Sequence, residues 1–91
     1  MNKKMVLAIL EDLYANKVME DFAAAGFPAT LIDTSGGLLS RGNSTLIAAV
    51  DEEVVDDAID IVQSECDHSP NPFQKRATIM VLGVDHFEQI P

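Results

Sequence analysis

The stretch Thr34-Ser35-Gly36-Gly37-Leu38-Leu39-Ser40-Arg41-Gly42-Asn43-Ser44-Thr45 carries the residue types best suited to holding a polar ligand. It contains three of the chain's five glycines and one of its six basic residues. Glycines permit positive φ and let a ligand approach the backbone closely, while Ser, Thr and Asn add short donors and acceptors without bulk. A loop of this kind can cradle a phosphate-bearing molecule. It can equally be a wide hairpin connection, and Gly/Ser/Asn clusters mark turns far more often than sites.

The other reactive side chains carry weaker signals. Cys66 and His68 are too few for a zinc site, which usually needs four protein ligands, or three and a water. No metal is expected there. His86 lies beside Asp85 and near Glu88, but no Ser or Cys is spaced to complete a triad with them. Gly36-Gly37 followed by Gly42 matches neither a Walker loop nor a dinucleotide fingerprint. No catalytic residue is identified, and the chain is not read as an enzyme.

Composition limits the partners. The net charge of −9 is unevenly spread: no Lys or Arg occurs between Arg41 and Lys75, where Asp51, Glu52, Glu53, Asp56, Asp57, Asp60, Glu65 and Asp67 all fall. A surface of that sign repels nucleic acid and anionic membrane. The acidic run reads as the solvated face of a helix, its first carboxylates suiting the helix N-terminus. Apolar residues make up 47% of the chain with no run long enough to span a bilayer, so a soluble protein is expected. The opening Met1-Asn2-Lys3-Lys4 leads into a short apolar run with no small-residue cleavage site after it, and that run reads as a strand rather than a signal peptide. The single cysteine cannot form an internal disulfide, which fits a reducing cytoplasm.

Ninety-one residues make one domain, marginal alone, for which oligomerisation is a natural way to bury more surface. Met5–Leu10 is a short apolar run bounded by charge, as a buried strand is. From Asp12 to Ala25, residues Ala15, Val18, Met19, Phe22 and Ala23 recur at helical spacing, and Gly26 is a natural stop. Phe27–Asp33 is strand-like, with Pro28 near its start. Beyond the glycine loop, Thr45–Val50 is a second apolar strand, and Asp51 is placed to cap a helix striped by Val55, Ala58, Ile59 and Val62. Asp67–Pro72 is a turn-rich connection, Ala77–Leu82 the last strand, and Val84–Ile90 a tail bearing Phe87 and Ile90.

That order, βαββαβ, is the ferredoxin-like pattern of α+β folds, a four-stranded antiparallel sheet with both helices on one face. The other sheet face is then uncovered, although the strands are apolar at nearly every position. Another copy of the chain is the economical cover.

Gly26-Phe27-Pro28-Ala29-Thr30 together with Thr34 through Thr45 resembles the signature of the cyclic di-AMP receptor family, PII-like signalling proteins of Gram-positive bacteria. Ala77 through Gln89 is similar to that family's last strand and tail, and Met5–Leu10 with the acidic helix start also fits. The resemblance implies a cytoplasmic homotrimer that binds a small nucleotide between neighbouring subunits, needs no cofactor and acts on a protein target the sequence does not name. By position it assigns Thr30, Gly37, Leu38, Leu39, Asn43 and Gln89 to the nucleotide, with Ala49 and Met80 near it. The Gly36-Gly37 backbone can approach the ligand closely, Thr30 and Asn43 can hydrogen-bond a base edge or phosphate, and Leu38 and Met80 can pack a base face.

The chain departs from the family where the family usually has an Arg (Pro28 here), an Asn (Gly26) and a Phe (Leu38). The family also carries a long loop and a Gly-Gly pair before the last strand, where only Asp67–Arg76 stands, with Lys75-Arg76 in place of the glycines. Arg41, Lys75 or Arg76 are candidates for restoring phosphate contacts. Two readings follow. One is a receptor for cyclic di-AMP or a related nucleotide, supported by the intact loop elements. The other is a PII-like interaction scaffold that has lost its ligand, supported by Pro28 and the short loop. A third, acid–base catalysis by His86 and Asp85, is distant. The receptor reading is preferred.

Overall fold

Strand β1 (Lys3–Glu11) runs through the middle of the sheet, and its side chains alternate between two environments. Val6, Ala8 and Leu10 are fully buried, while Met5, Leu7 and Ile9 on the opposite face are only half-buried. The computed structural model describes residues 2–32, 42–66 and 77–91. Within them follow α1 (Asp12–Ala24), β2 (Ala29–Ile32), β3 (Asn43–Asp51), a 3-10 turn over Glu52–Val54, α2 (Val55–Cys66) and β4 (Ala77–Gly83). The strands lie in the order β2-β3-β1-β4 and every pairing is antiparallel, which is the ferredoxin-like arrangement expected from the sequence.

Ala15, Val18 and Phe22 of α1 and Ala58, Val62 and Cys66 of α2 form the helix side of the core, against Val6, Ala8, Leu10, Leu46, Ala48 and Val50 of the sheet. Two members of the expected stripes differ: Ala23 is exposed, and Ile59 is half-buried outside the core, where Cys66 continues the α2 stripe instead.

Helix α1 ends at Gly26, which holds φ +81°. The Phe27 N–H donates to Phe22 O at 2.8 Å and the Gly26 N–H to Ala23 O at 3.1 Å, the paired bonds of a Schellman stop. The hydrophobic contact that accompanies this motif is the edge-to-face packing of Phe22 and Phe27, with ring centroids 5.9 Å apart. The cap consumes Phe27, and Pro28 has no N–H to give, so β2 begins at Ala29 rather than Phe27.

Asp51 also differs from expectation. Its backbone is extended and its side chain makes no capping hydrogen bond; it closes β3 directly opposite Lys3, and Lys3 Nζ lies 3.0 Å from Asp51 Oδ1. The acidic start of α2 remains, with Asp56 and Asp57 in its first turn.

The sheet face away from the helices carries an apolar patch, bordered by Lys3, Asp51, Thr30 and Thr78. Met5 faces Ala49 and Leu82 across the ladder, Leu7 faces Ile47 and Met80, and Ile32 lies on the same face of β2, opposite Thr45. Met80 and Leu82 are 44% and 45% exposed. An apolar area of this extent on a small domain marks a surface built to be covered. Among the described residues no helix is long and apolar enough to cross a membrane.

Candidate functional site

On the open face, where β2 meets β3 and the C-terminal tail crosses them, lies a cavity of about 330 Å³. Thr30 comes from β2, opposite Ile47 of β3, and Ala49 lies two residues along β3 on the same face. The tail contributes Phe87 and Gln89, Lys3 comes from the start of β1, and Pro28 and Ala29 form the rim where the chain leaves the α1 stop. Three residues assigned from the sequence, Thr30, Ala49 and Gln89, therefore meet in one place. The cavity combines an apolar floor with a hydroxyl, an amide, an aromatic ring and an ammonium, the mixture that small-molecule sites use.

Asn43 and Met80 do not line this cavity within one chain. Asn43 begins β3 opposite Glu11, four residues from Ile47, or roughly 13 Å at strand spacing. Met80 pairs with Leu7, which pairs with Ile47, which pairs with Thr30. Those three strand steps put Met80 on the order of 14 Å from Thr30. Gly36, Gly37, Leu38, Leu39 and Arg41, like Lys75, Arg76 and His68, lie outside the described residues.

The C-terminal end of the glycine stretch is nevertheless anchored. Gly42 holds φ +83°, and its carbonyl accepts the Asp12 N–H at 2.7 Å. The Ser44 hydroxyl, on a buried residue, donates to the Asp12 carboxylate. The start of α1 thus fixes the point at which the stretch enters β3 and presents Asn43.

Sequence reasoning missed Lys3 and Phe87. Lys3 Nζ stands 5.5 Å from the centroid of the Phe87 ring, within cation–π range, as well as 3.0 Å from Asp51 Oδ1. The period-2 alternation of β1 puts Lys3 on the face of Met5 and Leu7, a usable signal; its meeting with the tail had none.

The remaining reactive groups stand apart. His86 and Glu88 side chains are 80% and 65% exposed, with His86 Nε2 3.2 Å from Glu88 Oε1. Cys66 is buried. A larger hollow of about 720 Å³ between α2 and β4 is lined by Asp60, Gln63, Cys66 and Ile79 among others, and among the described residues none of the sequence-assigned ones borders it. Size alone therefore does not single out a candidate site; the cavity where Thr30, Ala49 and Gln89 converge is the candidate.

A family model described as a cyclic-di-AMP receptor matches residues 3–76. The chain belongs to the cyclic-di-AMP receptor family. Solved structures agree on the fold. A functionally unknown protein from Pediococcus pentosaceus ATCC 25745 is 32% identical, with 99% of each chain covered and a TM-score of 0.82. CPII, a nitrogen regulatory PII-like protein from Thiomonas intermedia K12 solved with ADP, AMP and bicarbonate, is 20% identical over 99% of this chain and 98% of its own, with a TM-score of 0.72. A DUF3240 family protein from Shewanella baltica OS155 is 8% identical over 100% of this chain and 99% of its own, with a TM-score of 0.71. At such identities the last two carry the fold alone, and that fold is PII-like.

Proposed function

We propose that this member of the cyclic-di-AMP receptor family is a cytoplasmic signalling protein that binds cyclic di-AMP or a related nucleotide in clefts between the subunits of a homotrimer. Ligand occupancy then changes how it engages a protein target. The observation that carries this reading is the meeting of Thr30, Ala49 and Gln89 at one open-face cavity in a chain whose family match spans residues 3–76. The exposed apolar sheet supports assembly. Assembly in turn explains how Met80, three strand steps from Thr30, can serve the same ligand: it does so across a subunit boundary. CPII, which has this fold, was solved with ADP and AMP, which supports a nucleotide as the ligand class. The described residues of the site are binding groups with no paired acid and base among them, and the family is one of receptors, which supports a receptor rather than an enzyme.

Pro28 favours a second reading. It lines the cavity where the family usually carries an arginine, which weakens the case for an anionic ligand and leaves a trimeric interaction scaffold as the alternative. Isothermal titration with cyclic di-AMP, cyclic di-GMP, AMP, ADP and ATP separates the two. Saturable heat with one of them supports the receptor, and none with any supports the scaffold.

A further inference from the structure

The described residues contain three lysines and no arginine, and only one of the three faces the cavity. Lys17 lies on α1, 3.3 Å from Asp21 Oδ1. Lys4 alternates to the helix side of β1, where its Nζ lies beside Gly83. Lys3 lines the cavity, and it is the one charged residue among the described residues that do so. The chain carries a net charge of −9, so a phosphate approaching it meets a repulsive field unless a cation marks its destination.

The Lys3 ammonium is suited to that task. Its side chain and that of Asp51 are each 33% exposed, and ion pairs so placed hold weakly. Asp51 Oδ1 is buried, and the ammonium 3.0 Å away does not meet it with hydrogen-bond alignment. The ammonium has three N–H donors to direct, and the Phe87 ring 5.5 Å away bounds its position without taking one. Thr30 and Gln89 at the same cavity supply the neutral donors and acceptors a base or sugar needs.

We infer that Lys3 is a phosphate-binding cation of this site, supplying part of the charge that is lost where Pro28 stands in place of the family's arginine. The assignment rests on the nucleotide-receptor reading. It makes Asp51 a competitor: in the empty site the carboxylate offsets the charge that phosphate engages when it binds.

The test is isothermal titration of cyclic di-AMP, AMP and ADP into the full chain and four variants, with thermal melts as a fold control. Lys3→Met is expected to weaken binding about tenfold to a hundredfold, the effect of losing a charge-assisted hydrogen bond to phosphate. Lys3→Arg should stay within a few fold of wild type. Lys4→Met, which removes the same charge from the other face, should bind as wild type does. Asp51→Asn should bind more tightly, because the competitor is gone. Wild-type affinity in folded Lys3→Met overturns the Lys3 assignment and leaves the receptor reading standing. Should Lys3→Met not fold, an Asp51→Asn affinity no tighter than wild type overturns it instead. If none of the three nucleotides binds wild type, nor cyclic di-GMP or ATP, the receptor reading falls and the assignment with it.

Discussion

Pro28 sits on the rim of the cavity, between the α1 stop and the first residue of β2. An arginine at this point offers planar charged donors; proline offers none and has no N–H. Affinity for cyclic di-AMP should therefore be weak for a protein of this family. Pro28→Arg is expected to strengthen it by about tenfold or more, the scale of one new charge-assisted hydrogen bond. Equal, tight binding by wild type and variant in titration would show that the position does not face the ligand. The substitution should cost no more than about 1 kcal/mol of stability through added freedom in the unfolded chain. The candidate cavity was partly legible at this scale, because Thr30, Ala49 and Gln89, assigned by position from the family resemblance, line it together. Lys3 was not. A lysine at a strand end is ordinary, and what gives it meaning is Phe87, which folding brings from the far end of the chain. Asp51 failed for the same reason: its residue type suits a helix cap, but a partner opposite it on β1 claims the carboxylate.

Elements position these side chains, and the α1–β2 junction does most of it. A Cβ built on Gly26 meets nothing within 4 Å, so the +81° backbone angle alone demands glycine there. Gly26→Ala should cost about 1–2 kcal/mol, the expense of a left-handed L-residue, read as a lowered midpoint in urea with an unchanged slope. No loss would mean that the stop tolerates a different backbone angle. The helix order, the stop and the strand order follow from local pattern, apolar spacing and a single glycine, and were readable for that reason. The start of β2 was not, since Phe27 looks like a strand residue until its ring packs on Phe22. The two helices also meet at a pair of carboxyl groups, which hydrogen-bond only while one of them holds a proton. Asp21 of α1 is held below its ordinary value of 3.8 by a hydrogen bond with Glu65 of α2 and then by Lys17, with burial opposing both. A carboxyl depressed on folding contributes stability that is present above its ordinary value and lost as pH falls through the folded one. Acid unfolding followed by circular dichroism should therefore show Asp21→Asn flatter than wild type below about pH 4, where wild type loses this contribution and the variant has none to lose. Identical curves would show that the carboxyl does not link the helices energetically.

At the scale of the whole molecule, one sheet must satisfy two demands. Its helix side is closed by Phe22, Val18 and Val62, all fully buried, whereas its other side leaves Ile32, Met80 and Leu82 between 37% and 45% exposed. A single domain of this size buries only about two-thirds of its unfolded surface, which leaves little stability in reserve. In the proposed trimer, covering the open face would remove the apolar surface from water, and Met80 would serve a ligand held at a neighbour's Thr30. Assembly and ligand binding are then one property. Light scattering at micromolar concentration should give three subunits for wild type. Leu82→Glu sets a carboxylate on the apolar face beside Met5 and is expected to shift the protein to monomer. Leu82 itself does not line the cavity; Lys3, which does, lies diagonal to it, two residues along β1 from its ladder partner Met5. Nucleotide heat should nevertheless vanish with the trimer. Full binding by a monomeric Leu82→Glu protein would confine the site to one chain and remove the intersubunit cleft. A monomeric wild type would defeat the trimer itself.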